Sequence, residues 1–199
     1  MQKEWNERYS SEVYIYGKEP NDYFRQEIDK LSPGRLLLIG EGEGRNGVYA
    51  ARKGWKVDAV DFSENARAKA LKLAEENKVS INYQISDIAD YIPAAETYDA
   101  VGIIFIHLDP EVREKMHHLV IQALKPGGTL ILEIYDKDQI NMTSGGPKDP
   151  DLLYSLEEIV EDFTELDFVS LTKENIYLNE SVLHFGEAWV IRFTVRKAS

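Results

Sequence analysis

The 199-residue chain contains no cysteine. That absence excludes disulfides, a thiolate nucleophile and thiolate metal centres. Long hydrophobic runs are also missing. The longest, such as "AVGIIFIHL" ending at Leu108, fall far short of the roughly 20 residues a membrane helix needs. Positive charge is scarce: 23 Lys and Arg stand against 35 Asp and Glu, a formal net charge of −12. Such a balance repels nucleic acids and anionic membranes, which favours a small-molecule partner with neither nucleic acid nor membrane. The opening "MQKEWNERYS" lacks the apolar centre of a signal peptide, so a cytoplasmic location is expected. No His, Asp and Glu grouping has the spacing of metal ligands, and no metal is expected.

What is present is alternation. "RLLLI" reads as a strand buried on both faces, and "NGVYAARKG" as a helix closed by Gly54. "WKVDAVD", "SINYQI" and "YDAVGIIFI" continue as strands. Between the first two lies a helix with Ser63 as N-cap and apolar positions at Ala66, Ala70, Leu73 and Ala74. A further helix follows from Pro110, carrying Val112, Met116, Leu119, Val120 and Ala123 at helical spacing. Lys125-Pro126-Gly127-Gly128 is expected to break the chain before the strand "TLILEIY". The last stretches, "LDFVSLTKENIYL" and "AWVIRFTVR", have no helix between them and predict an antiparallel pair. The fold class is therefore α/β, a Rossmann-like doubly wound sheet that is mostly parallel with a C-terminal antiparallel pair. Without repeats or a linker it reads as one domain over 1–199: an N-terminal segment to 34 with a helix near 21–30, a core at 35–135, and a tail at 136–199.

Ligands of such sheets bind beyond the carboxyl ends of the strands. The first strand runs into "GEGEGRNG", with Gly40, Gly42, Gly44 and Gly47. Gly42, Gly44 and Gly47 literally match GxGxxG, and Asp61 follows at the end of the second strand, which is one reading: a nicotinamide dinucleotide and an oxidoreductase. A dinucleotide turn begins directly after the first strand, however. Counted from Gly40, its third glycine falls on Arg45, and Glu41 and Glu43 would face a pyrophosphate. S-adenosylmethionine has a cationic sulfonium and ammonium and no phosphate, so it tolerates both carboxylates. In that reading Arg45 and helix N–H groups meet its carboxylate, Asp61 accepts from the ribose, and Asp87 from the adenine amino group.

The run Gly40-Glu41-Gly42-Glu43-Gly44-Arg45-Asn46, with "VDAVDFS", "ISDIADY" and "LKPGGTLILE", resembles the class I S-adenosylmethionine-dependent methyltransferases. The likeness is greatest to their small TehB-like (tellurite-resistance and thiopurine methyltransferase-related) branch. It implies a methyl transfer to a small acceptor such as a thiol, a chalcogen oxyanion or a xenobiotic. It also implies Phe62 and Ile88 beside the adenine, Phe105 at the transfer site, and an N-terminal lid that includes Tyr16. A non-catalytic S-adenosylmethionine-binding protein is the remaining alternative. His107, closing the fourth strand, is the candidate base; its structural reading is a histidine bonded to nearby backbone. The loop "TSGGPKDP" is a candidate substrate loop, and His184, between the last two strands, a candidate for the same mouth. One departure stands out: Leu38 occupies the position where the family usually has an acid. Glu41 is the candidate substitute.

Overall fold

In the computed structural model, which describes residues 2–181 and 183–199, the strands are β1 (Arg35–Ile39), β2 (Lys56–Asp61), β3 (Asn82–Ile85), β4 (Tyr98–Ile104), β5 (Leu124–Tyr135), β6 (Asp167–Ser181) and β7 (His184–Arg196). They form one sheet in the order β3-β2-β1-β4-β5-β7-β6. The first five are parallel, and β7 runs antiparallel to both β5 and β6. The helices are α1 (Gln2–Arg8), α2 (Asp22–Ile28), α3 (Arg45–Arg52), α4 (Glu64–Glu76), α5 (Pro110–Ala123) and α6 (Leu156–Asp162). Among the described residues no helix is long and apolar enough to cross a membrane.

Strand alternation explains why "RLLLI" is apolar throughout. Leu37 and Ile39 point to one face, packing with Met116 and Val120 of α5 and Ile159 of α6. Leu36 and Leu38 point to the other, against Phe24 of α2, Val48 of α3 and Ala70 and Leu73 of α4. Side chains alternate sides along a strand, so a strand covered on both faces must be hydrophobic at every position. Leu38 is thus a core residue. A Cβ on Gly102 would come within 2.6 Å of its Cδ2, so β4 closes tightly over this position.

Three features differ from the expectations. Lys125-Pro126-Gly127-Gly128 does not interrupt the chain, because α5 feeds straight into a long β5. The register shift between Tyr98 and Ala100 absorbs the glycines, and Gly127, at φ +77°, donates its N–H to the Lys197 carbonyl. His184 is the first residue of β7 rather than part of a connection. Helix α1 was not foreseen, since its short polar sequence has no apolar face of its own. Docking supplies what periodicity lacks: Ser63 Oγ donates to Asn6 Oδ1 at 2.8 Å, and Asn65 Nδ2 donates to the Asn6 carbonyl at 3.0 Å.

Candidate active site

The glycine turn leaves β1 with Gly40, Gly42 and Gly44 all at positive φ, a conformation that side chains with a Cβ resist. Its two glutamates are satisfied within the protein. Glu41 is buried, and its Oε1 accepts the Gly47 N–H at 2.6 Å. It therefore caps α3, whose N-cap residue Gly44 has no side chain to do so. The site where a dinucleotide fold would receive a phosphate already holds a carboxyl group. Burial pushes Glu41 up to about 8, against the lowering by the Gly47 N–H and the Arg45 charge. Glu43 is ion-paired with Lys69 of α4, and its Oε2 accepts the Tyr16 N–H at 3.2 Å.

Asp61 ends β2 directly beside the turn. Its oxygens accept the Gly42 N–H at 3.1 Å and the Ser63 N–H at 3.0 Å, while burial raises its pKa. Phe62 follows and is half-buried; Ile88 is buried, with its Cδ1 facing Gly40. Asp87 accepts the Ala89 N–H at 2.9 Å through Oδ1. Tyr9 covers this surface, its hydroxyl oxygen 3.0 Å from where a Gly42 Cβ would lie. Its ring stacks on Trp5 at 5.9 Å and meets Tyr16 at 6.4 Å. Trp5 and Tyr9 were absent from the sequence-based site because the docking of α1 is a long-range event.

Two polar residues after the turn make contacts within the protein. Arg45 Nη1 pairs with Glu180 Oε2 at 2.9 Å and donates to the Tyr16 carbonyl at 3.3 Å. Asn46 Oδ1 accepts the Asn21 N–H at 2.9 Å. Both tie the N-terminal segment to the start of α3, and Arg45 ties the β6–β7 hairpin to it as well.

Next to the turn, at the ends of β4 and β5, five rings come together. Phe105 lies 4.6 Å from Tyr135 and 4.7 Å from His184; Tyr16 lies 4.8 Å from His184; His107 stacks on Tyr135 at 5.5 Å. Phe105 takes φ +53°, a strained value for an aromatic residue, of the kind that persists where surrounding structure holds a side chain for use. His107 Nδ1 is 2.8 Å from the Leu152 carbonyl, which can only accept, so the proton sits on Nδ1. Its Nε2 is sealed from solvent and unpartnered, and burial pushes the ring down to about 4. The loop "TSGGPKDP" closes one side: a Cβ on Gly145 would meet Tyr135 Oη at 2.6 Å and the Leu183 carbonyl at 2.8 Å.

A polar chain links Arg192 to Arg45 through two glutamates bridged by Asn21. Arg192 Nε donates to Glu133 at 2.7 Å, Asn21 Nδ2 donates to both Glu133 and Glu180, and Glu180 pairs with Arg45. Burial opposes the charge on Glu180, yet the hydrogen bond from His184 and the charge of Arg45 bring it down to about 2. Each of these two guanidiniums is thus paired with a carboxylate.

Residues 36–128 match the methyltransferase domain family. The chain is 28% identical over 138 residues to an uncharacterized methyltransferase of Staphylococcus carnosus, covering 65% of this chain and 64% of that one. In fold it is similar to TehB from Haemophilus influenzae, with a TM-score of 0.73 at 18% identity over 98% of this chain and 66% of that one. It is likewise similar to phosphoethanolamine N-methyltransferase 2 of Haemonchus contortus in complex with S-adenosyl-L-methionine, with a TM-score of 0.69 at 19% identity over 100% of this chain and 58% of that one. The chain spans about a third to two thirds of the length of the curated relatives it matches.

Proposed function

Proceeding from a class I methyltransferase domain built on β1 to β5, we propose that this protein transfers a methyl group from S-adenosylmethionine to a small-molecule acceptor. One observation carries the choice of donor. The helix terminus that would bind a phosphate is capped internally by Glu41, while the neighbouring Asp61 keeps a carboxylate for a ribose. A nucleoside without phosphate fits that donor set and a dinucleotide does not. The residues that would hold it are Gly40 and Gly42 by backbone, Asp61 and Asp87 by carboxylate, Phe62 and Ile88 by apolar contact, and Tyr16 and Phe105 at the methyl end. Glu41 is the carboxyl group that would answer the cationic end by giving up its proton when the ligand binds.

S-adenosylmethionine supplies an already activated methyl group, so the protein's contribution is alignment and exclusion of water. Correct placement of two reactants lowers a barrier by about 7–11 kcal/mol. The aromatic cluster of Tyr16, Phe105, Tyr135 and His184 is where the acceptor would dock. Arg45 and Arg192, linked through Glu180, Asn21 and Glu133, are each paired to a glutamate, which favours an uncharged thiol or xenobiotic over a chalcogen oxyanion.

Thermal unfolding with S-adenosylmethionine, S-adenosylhomocysteine and NAD at matched concentrations tests the donor. At a hundred times its dissociation constant a ligand adds about 2.7 kcal/mol, roughly 5–10 °C for a chain of this size. The two adenosyl compounds should raise the melting temperature and NAD should not. Asp61→Ala should abolish the shift while leaving a folded protein. A shift with NAD alone would refute the proposal.

A further inference from the structure

We propose that His184 takes the proton from the acceptor during methyl transfer, and that Glu180 is its positioning residue. The proposal rests on the methyltransferase reading and adds the proton's destination, which that reading leaves open.

The hairpin is shaped for this. Between Asn179 and Ser181 the register of β6 against β7 slips, leaving Glu180 as the extra residue of a bulge. Bulges bend a strand and re-aim a side chain, and they recur beside active sites. Here the bulge brings Glu180 Oε2 to 3.3 Å from His184 Nδ1. Glu180 is held in turn by Arg45 Nη1 at 2.9 Å and Asn21 Nδ2 at 2.9 Å. A Cβ on Gly17 would come within 2.9 Å of the Glu180 carbonyl, so the N-terminal segment also rests on the bulge. The carboxylate accepts, which places the His184 proton on Nδ1 and the lone pair on Nε2. A base oriented by a third group is the recurring arrangement for activating a nucleophile.

The ring stands within the aromatic cluster, 4.8 Å from Tyr16, 4.7 Å from Phe105 and 5.9 Å from Tyr135, with Gly145 closing on its Cδ2. The charged and titratable groups around it are Glu180, Arg45, Tyr16, Tyr135 and His107. Because Arg45 already neutralises Glu180, the imidazole is not forced into its cationic form; burial lowers its pKa, against the raising by Glu180. His107 serves less well as the base, since its Nε2 is sealed between Tyr135 and Tyr154.

The acceptor implied is neutral and carries an O–H, N–H or S–H. Its lone pair forms the bond to the methyl carbon, the carbon–sulfur bond breaks with its electron pair returning to sulfur, and the X–H proton goes to His184 Nε2 and then to water.

The test uses the full chain with S-adenosylmethionine and two probe series, ring-substituted thiophenols and phenols of graded acidity, in single-turnover rates at pH 7. His184→Gln should lower the rate about 10²–10⁴-fold for probes that enter protonated and little for those already ionised. Glu180→Gln should show the same dependence on probe acidity with a smaller loss, and imidazole should rescue His184→Ala. A loss equal across the series, or none, overturns the proposal. If no probe is methylated, ring nitrogen NMR decides. His184 should be the Nδ1–H tautomer at pH 7, and Glu180→Gln should change its tautomer or titration; an Nε2–H tautomer, or no response to Glu180→Gln, also overturns it. Failure of the donor reading is separate and is seen first, as an absent thermal shift with S-adenosylmethionine in the unaltered protein.

Discussion

Gly44→Ala should destabilise the protein by about 2–5 kcal/mol, among the largest losses expected of any single methyl group added here. Two costs combine. Gly44 sits at φ +92°, where a left-handed L-residue costs about 1–2 kcal/mol. The new Cβ would also fall 2.7 Å from the Ala70 Cβ and 2.8 Å from its Cα, on the backbone of α4. Overpacking of that kind costs about 1–3 kcal/mol, and a helix backbone cannot rotate aside as a side chain can. For a domain of this size the melting temperature should fall by roughly 5–15 °C. Gly54→Ala is the matched control. It has a similar φ of +95°, but its nearest neighbour is Pro33 at 3.7 Å, so only the backbone cost of about 1 kcal/mol should remain. Equal losses in the two variants would mean that α3 and α4 separate freely, and the turn would then lack the rigidity attributed to it.

The second large effect has the opposite sign. Glu41→Gln should stabilise the protein, and increasingly so as pH rises. The unfolded carboxyl titrates near 4.5, whereas burial holds the folded one up to about 8. Between those values the folded state keeps a proton that the unfolded state has released. Glu41 therefore contributes its full stability below pH 4.5 and loses it as pH climbs toward 8. At about 1.4 kcal/mol per pH unit, the loss approaches 4 kcal/mol by pH 8, that being roughly the gain expected for the variant. Glutamine keeps a carbonyl oxygen for the Gly47 N–H and carries no charge to desolvate. Denaturant unfolding of both proteins at pH 5 and pH 8 measures the difference, and other titrating groups cancel between them. A constant difference across that range would show that Glu41 is ionised in the fold. The same variant should bind S-adenosylmethionine more weakly, since a carboxyl group retained at a cost in stability is the kind of feature that function maintains.

What the sequence determined by itself was local or periodic. Alternation of apolar strands and helices is enough to specify a doubly wound sheet, because each strand's hydrophobicity reports the number of faces it buries. The glycines at 40, 42 and 44 announced the turn, since few other residues tolerate positive φ, and Asp61 and Asp87 stood at predictable strand ends. Tertiary structure alone decided where the charges went. Glu41 turns under α3, Glu43 to Lys69, and Arg45 to a glutamate 135 positions further along, none of which any short-range pattern records. It also set the hydrogen-bond partners of the two histidines. His107 was the candidate base in the sequence and His184 only a neighbour of the same mouth, yet His107 Nε2 is sealed from solvent while a bulge in β6 brings Glu180 to His184. Desolvation and hydrogen-bond partners set the chemistry of a buried group, and both come into being only when distant segments pack.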